Sequence, residues 1–166
     1  MPLAFDGYTF TRDDFSLLKI RKHYPERTNG ESYVIRAFLL AHADDFDRII
    51  FSKRVGHGVT PDPTHLAAVQ DNTAFSSMLR IDLLAWTGKT ASIIEVKQRV
   101  TPACLGQILT YRHHFIEELP EAGEPQLFVV GREAVPDAVV ALNAHGITVY
   151  LYPDATPQPS AAAVGV

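Results

Sequence analysis

The sequence predicts an α/β fold in which a mixed central sheet is flanked by helices, and three observations carry that reading. Two apolar runs, LRIDLLAW and ASIIEVKQRV, enclose the short link Thr87-Gly88-Lys89-Thr90 and read as an antiparallel hairpin. The runs QLFVVG and ITVYLY enclose VPDAVVALNAH, a strand-helix-strand unit of the parallel, right-handed kind. With 166 residues, 46% of them hydrophobic and 20% charged, the chain holds about one domain. A hairpin and a parallel unit sharing one core call for a sheet with both senses of pairing.

The elements follow in order. Thr11 precedes RDDFSLLKIRKHY, where acidic residues open the segment and basic ones close it, complementing a helix dipole. A first helix near 12–23 is predicted. Pro25 and Thr28-Asn29-Gly30 interrupt it, and ESYVIRAFLLAHA then sets Val34, Ile35, Phe38 and Leu39 on one face of a second helix near 30–43. DRIIFSKRV reads as a strand that ends at Gly56-His57-Gly58. Residues 59–78 carry two prolines and no sustained period, which predicts an extended connection with one short helix at THLAAVQ. After the hairpin, Thr101 and Pro102 open a helix in which Leu105, Ile108, Leu109, Phe115, Ile116 and Leu119 recur, ending near Pro120. Gly146 closes the last helix. Residues 1–152 thus form one domain with a helical N-terminal extension over about 1–28, and 153–166 form a Pro/Ala-rich tail expected to be disordered alone. Order in that tail would need a partner subunit, so a homo-oligomer is expected.

Composition excludes several classes. No stretch approaches the roughly 18 apolar residues of a membrane span, so no membrane partner is expected. The start lacks the basic flank and apolar run of a secretory signal, and the single Cys104 suits a reducing compartment, which makes the cytoplasm the expected location. A net charge of -4 carries no global nucleic-acid signature, so any such contact is local, at Lys19/Arg21/Lys22, Lys53/Arg54 or Lys97/Arg99.

Chemistry concentrates on the hairpin. Side chains alternate along a strand, so Glu95 and Lys97 share one face. A two-residue Gly88-Lys89 loop of the type II′ kind pairs Thr87 with Thr90, and the same register sets Asp82 opposite Glu95. Two like charges about 5 Å apart on one face are destabilising unless something offsets them. A hard dication does so, since Mg²⁺ takes oxygen ligands and commonly uses one or two carboxylates with water and phosphate. Lys97 stands alongside to orient a water.

Asp82, then Glu95-Val96-Lys97 on the next strand, then a helix bearing Gln107 and Tyr111, resembles the PD-(D/E)XK nuclease superfamily with its restriction-endonuclease-like core. The resemblance covers about residues 30–131 as helix, three strands, helix and strand, with an extra C-terminal helix and strand beyond them. The chain departs from the pattern at Ile81, where the family name has proline. The resemblance implies a metal-dependent nuclease that hydrolyses phosphodiester bonds in DNA. Asp82, Glu95 and the backbone carbonyl of Val96 would hold Mg²⁺ or Mn²⁺, Glu31 would add a carboxylate from the first core helix, and Lys97 would assist the attacking water. Gln107, Tyr111 and His114 share one helix stripe, which reads either as an ordinary core–surface boundary or as the lining of the substrate groove, with Gln107 a catalytic and Tyr111 a substrate-binding candidate; Lys53, Arg54, Arg99 and Arg112 are surface candidates for phosphate contact. The rival reading from another class is a noncatalytic assembly or adaptor protein that keeps a nuclease-like fold. His57 and His65 have a weaker claim on a phosphate or a proton. His113 and His114 are expected to point apart and make a poor zinc pair, and Cys104 is expected to be a small buried residue.

Overall fold

The computed structural model describes residues 6–156, so residues 1–5 and the last ten of the tail lie outside it. The hairpin strands β3 (Leu79–Thr87) and β4 (Thr90–Val100) are the middle of a six-stranded sheet whose strands lie side by side in chain order. On one side β2 (Arg48–Val55) and β1 (Tyr8–Thr11) continue it antiparallel. On the other, β5 (Gln126–Ala134) and β6 (Thr148–Leu151) continue it parallel. The fold is therefore α/β with an open, mixed sheet.

Helices cover both faces because each carries one apolar stripe. Helix α2 (Asn29–His42) packs Val34, Ile35, Phe38 and Leu39 against Ile49, Phe51, Leu83, Ala85, Ile94 and Val96. On the opposite face α4 (Ala103–Glu118) packs Cys104, Ile108, Tyr111 and Phe115, and α5 (Pro136–Ala144) packs Ala138 and Leu142, against Ile81, Leu84, Ile93 and Val129. Burying each large side chain of this kind contributes about 1.5–3 kcal/mol before entropy is counted. Cys104 is buried, as expected of a small apolar residue.

The hairpin register is the expected one, with Thr87 on Thr90, Trp86 on Ala91 and Leu83 on Ile94. Gly88 has φ +58, which the first loop position of a type II′ turn requires and a side chain would resist. Beyond Leu83 the strands bend together. Ile49 and Phe51 face the α2 side whereas Val55 faces the α4 side, and Leu83 faces the α2 side whereas Ile81 faces the α4 side. Both strands thus change face within one residue, at Ser52 and Asp82, while the pairs Phe51–Leu83 and Lys53–Ile81 keep a continuous register. Ser52 is buried with φ +59, a left-handed conformation uncommon for a residue with a Cβ.

Three expectations are corrected. The first helix is not a continuous segment over 12–23: a single 3₁₀ turn at Arg12–Asp14 leads into α1 (Phe15–Leu18), and residues 8–11 form the edge strand β1 rather than part of a helical extension. Only Phe15 and Leu18 of α1 reach the core, and Tyr24 then folds inward, stacking on Phe51 and donating its hydroxyl to the Leu18 carbonyl at 2.8 Å, which a straight helix to residue 23 would prevent. The connection after β2 holds a longer helix than expected, α3 (Ala67–Ser77), which buries no residue. Finally, the chain past β6 is partly attached, since Ala155 packs against the α2-side core.

Candidate active site

The site forms where the bend in β2 and β3 meets β4. Glu95 lies two residues beyond Ile93, on the α4 side of the sheet, and is 0% exposed; Asp82 is 3% exposed. Asp82 does not simply continue the ladder. Its Oδ2 accepts the Val96 backbone N–H at 2.7 Å, and its Oδ1 accepts from Arg27, which arrives from the turn before α2. Arg27 also points a second nitrogen at Ser52 Oγ, 3.4 Å away, so the left-handed serine, the aspartate and the arginine form one cluster. Lys97 Nζ pairs with Glu95 Oε1 at 2.6 Å, and both Glu95 oxygens are shut away from solvent.

Electrostatics follow from that packing. Burial, and secondarily the neighbouring Asp82 carboxylate, push Glu95 up to about 8, with Lys97 pulling the other way. Asp82 is also raised by burial, against the opposing charge of Arg27 and the Val96 N–H. Burial works against the charge of Lys97, yet Glu95 and Asp82 more than offset it and hold the lysine above its ordinary value. Lys97 is therefore an ammonium at neutral pH, one-third exposed, at the rim of a buried pair of acids. Tyr111 faces the same acids: burial, then the Glu95 charge, raise its phenol, and Gln107 Nε2 donates to the Tyr111 hydroxyl at 2.6 Å.

The other candidate residues fare unequally. Glu31 closes a capping box at the start of α2, where its Oε2 accepts the Thr28 N–H at 3.0 Å and Thr28 Oγ1 accepts the Glu31 N–H at 3.2 Å. It raises Asp82 through its charge, but its carboxylate does not join Asp82 and Glu95 in a converging group. One of its oxygens thus caps the helix, satisfying an orphan amide of the first turn. Lys53 pairs with Asp6, and Arg54 stacks on Phe75 at 4.3 Å and donates to the Phe75 carbonyl, so both expected phosphate contacts already have partners. Arg112 pairs with Glu124. Arg99 is exposed near the end of β4. Two surface concavities, about 710 and 340 Å³, lie at the opposite end of the sheet around Gln126 and Phe128 and contain none of these acids. Chemistry rather than cavity size marks the candidate site, since an apolar hollow does not explain a pair of buried acids.

Two features were missed by sequence reasoning. Arg27 lies 55 residues from Asp82 in a segment whose proline, threonine, asparagine and glycine read only as helix breakers. His113 and His114, expected to diverge, instead converge with Glu117, their ligand atoms all within 4.8 Å of one another. Among the described residues no helix is long and apolar enough to cross a membrane. No family model, curated protein or solved structure matches this chain.

Proposed function

We propose that this protein is a metal-dependent nuclease of the PD-(D/E)XK type, with a restriction-endonuclease-like core, that hydrolyses phosphodiester bonds in DNA. The observation that carries the reading is the wholly buried Glu95, paired at one oxygen with the Lys97 ammonium, beside a second buried carboxylate. Two adjoining buried carboxylates repel each other and lose hydration, and a hard cation would offset what Arg27 and Lys97 leave uncompensated. The donor set fits Mg²⁺ or Mn²⁺: Glu95 and Asp82 provide carboxylate oxygens, and Val96, whose N–H fixes the Asp82 rotamer, lies between Glu95 and Lys97 on the same strand. When bound there, the ion supplies Lewis acidity to a phosphate oxygen and lowers the pKa of water.

The chain's own residues do the rest. Lys97, held protonated by the acids, donates hydrogen bonds and positive charge rather than removing a proton, and so orients water and offsets charge that builds on phosphate. Its partial exposure makes it the point at which a phosphodiester first meets the site. Gln107 and Tyr111 close the α4 side and keep the acids dry. One observation favours the noncatalytic adaptor instead: Arg27 occupies an Asp82 oxygen that a cation would use, and it must move aside for catalysis. Nicking of supercoiled plasmid DNA separates the two. With Mn²⁺ or Mg²⁺ the protein is expected to nick and with chelator it is not, and Lys97→Ala is expected to slow nicking by about 10²–10³-fold, the range for losing one positioned donor to developing charge. Absence of nicking, or an unchanged rate in a folded Lys97→Ala protein, rejects the nuclease.

A further inference from the structure

The turn of α4 farthest from Cys104 carries a second polar cluster that the nuclease reading does not use. His113 and Glu117 stand four residues apart on one helix face, with Nε2 of the histidine 3.5 Å from Oε2 of the glutamate. His114 leans toward them, its ring centroid 5.3 Å from that of His113, and all three ligand atoms lie within 4.8 Å of one another. A fourth imidazole approaches from another element. The His57 ring stands edge-on to His114 at 5.9 Å, on the connection between β2 and α3.

That connection is held in place from both sides. Glu118 Oε1 accepts the Gly56 N–H at 2.6 Å, and a Cβ at Gly56 would rest 3.4 Å from the His114 ring. At Gly58 a Cβ would come within 2.0 Å of the Ala74 carbonyl, so only glycine admits α3 at that distance. His57 therefore sits between two glycines of positive φ, +80 and +68, whose loop is tied to α4 on one side and α3 on the other. The His57 imidazole itself is exposed.

We propose that His113, His114 and Glu117, with His57 as fourth ligand, form a surface site for a borderline transition dication of the Zn²⁺ class. Three imidazoles and one carboxylate are the donor set that such ions prefer and that Mg²⁺ does not. Tetrahedral ligands at the usual zinc distances are about 3.3 Å apart, so the three α4 ligands need only small rotamer changes to close. His113 and Glu117 keep 65% and 57% of their side-chain surface in solvent, which leaves them room to rotate, while His114 is half-buried beside Gly56 and His57. The occupied site would join the β2–α3 connection to α4.

Co²⁺, which reports tetrahedral nitrogen coordination by its visible absorption, is the probe. Untagged full-length protein in excess Mg²⁺ is titrated with Co²⁺, and one equivalent is expected to bind with a visible band that Zn²⁺ displaces. The double variant His113→Ala/His114→Ala and the single variant His57→Ala are each expected to lose affinity by at least the roughly 10–100-fold that even an outer-sphere partner of a metal site accounts for. Glu117→Gln gives a second, milder probe should the double variant fold poorly. Glu95→Gln is expected to leave Co²⁺ binding unchanged, which keeps this test separate from the fate of the nuclease proposal. No Co²⁺ band, or undiminished affinity in the folded His57 or Glu117 variant, overturns the site.

Discussion

Asp82 and Glu95 sit under α4 with almost no exposed surface, whereas near the C-terminal end of the same helix His113 and Glu117 sit largely in solvent and His114 is half-buried. Both clusters gather groups that bind cations, yet they behave differently without one. In water, histidine and glutamate side chains are solvated, and an ion there is optional. In the sheet, desolvation forces the carboxylates to recruit Arg27, to borrow the Val96 N–H and to hold a proton on Glu95. Burial rather than the number of ligands sets how urgently a site demands positive charge.

The sharpest way to break that contrast is to remove the charge Asp82 has recruited. Arg27→Ala leaves a buried carboxylate unpaired and is expected to destabilise the chelated protein by about 3–5 kcal/mol, with Mn²⁺ restoring part of it. Chemical denaturation with and without Mn²⁺ measures both, and a loss below about 1 kcal/mol, typical of a surface pair, would show that the pair is not desolvated.

A smaller effect follows from the proton on Glu95. Its pKa rises from 4.5 unfolded to about 8 folded, so between those limits the folded chain keeps a proton that the unfolded chain releases. Stability from this group is full below about pH 4.5 and is lost as pH rises through about 8; Asp82, also raised, adds in the same direction. In EDTA the protein is expected to be less stable at pH 8 than at pH 5.5 by a few kcal/mol, since each tenfold gain in proton affinity on folding is worth about 1.4 kcal/mol. Glu95→Gln is expected to flatten most of that slope. Equal slopes in the two proteins would place the titrating group elsewhere.

The smallest effect belongs to the exposed side of the contrast. Leu66, just before α3, is 79% exposed, and Leu66→Ser is expected to change the unfolding free energy by no more than about 0.5 kcal/mol. A larger change in calorimetry would mean that this segment is covered in solution.

The parts of the fold that were legible in the sequence are those fixed locally. Gly88 sets the hairpin turn and with it the relation of Asp82 to the Glu95-Val96-Lys97 strand. The apolar stripes of α2 and α4 show in the spacing of Val34, Ile35, Phe38 and Leu39 and of Ile108 and Phe115. α3 was underestimated because it buries nothing, so no apolar period marks it. β1 is four residues long, and its pairing with β2 and the packing of Phe10 on the core leave no pattern long enough to read. Arg27 was invisible because an ion pair across 55 residues leaves no spacing to read, and Ser52 because serine seldom signals a left-handed backbone. The capping role of Glu31 was visible as Thr28 followed three residues later by a glutamate, and it competes with the ligand role the resemblance implied.

The matched kinks at Ser52 and Asp82 make neighbouring strands interdependent in length. Deleting one residue from either strand alone would slide its outer half by one position and turn Val55 or Ile81 from oil to water, whereas shortening both together would keep them in phase. Insertions and deletions in this part of the gene should therefore be tolerated in compensating pairs, and a lone frame-preserving loss there should be as damaging as losing an acid.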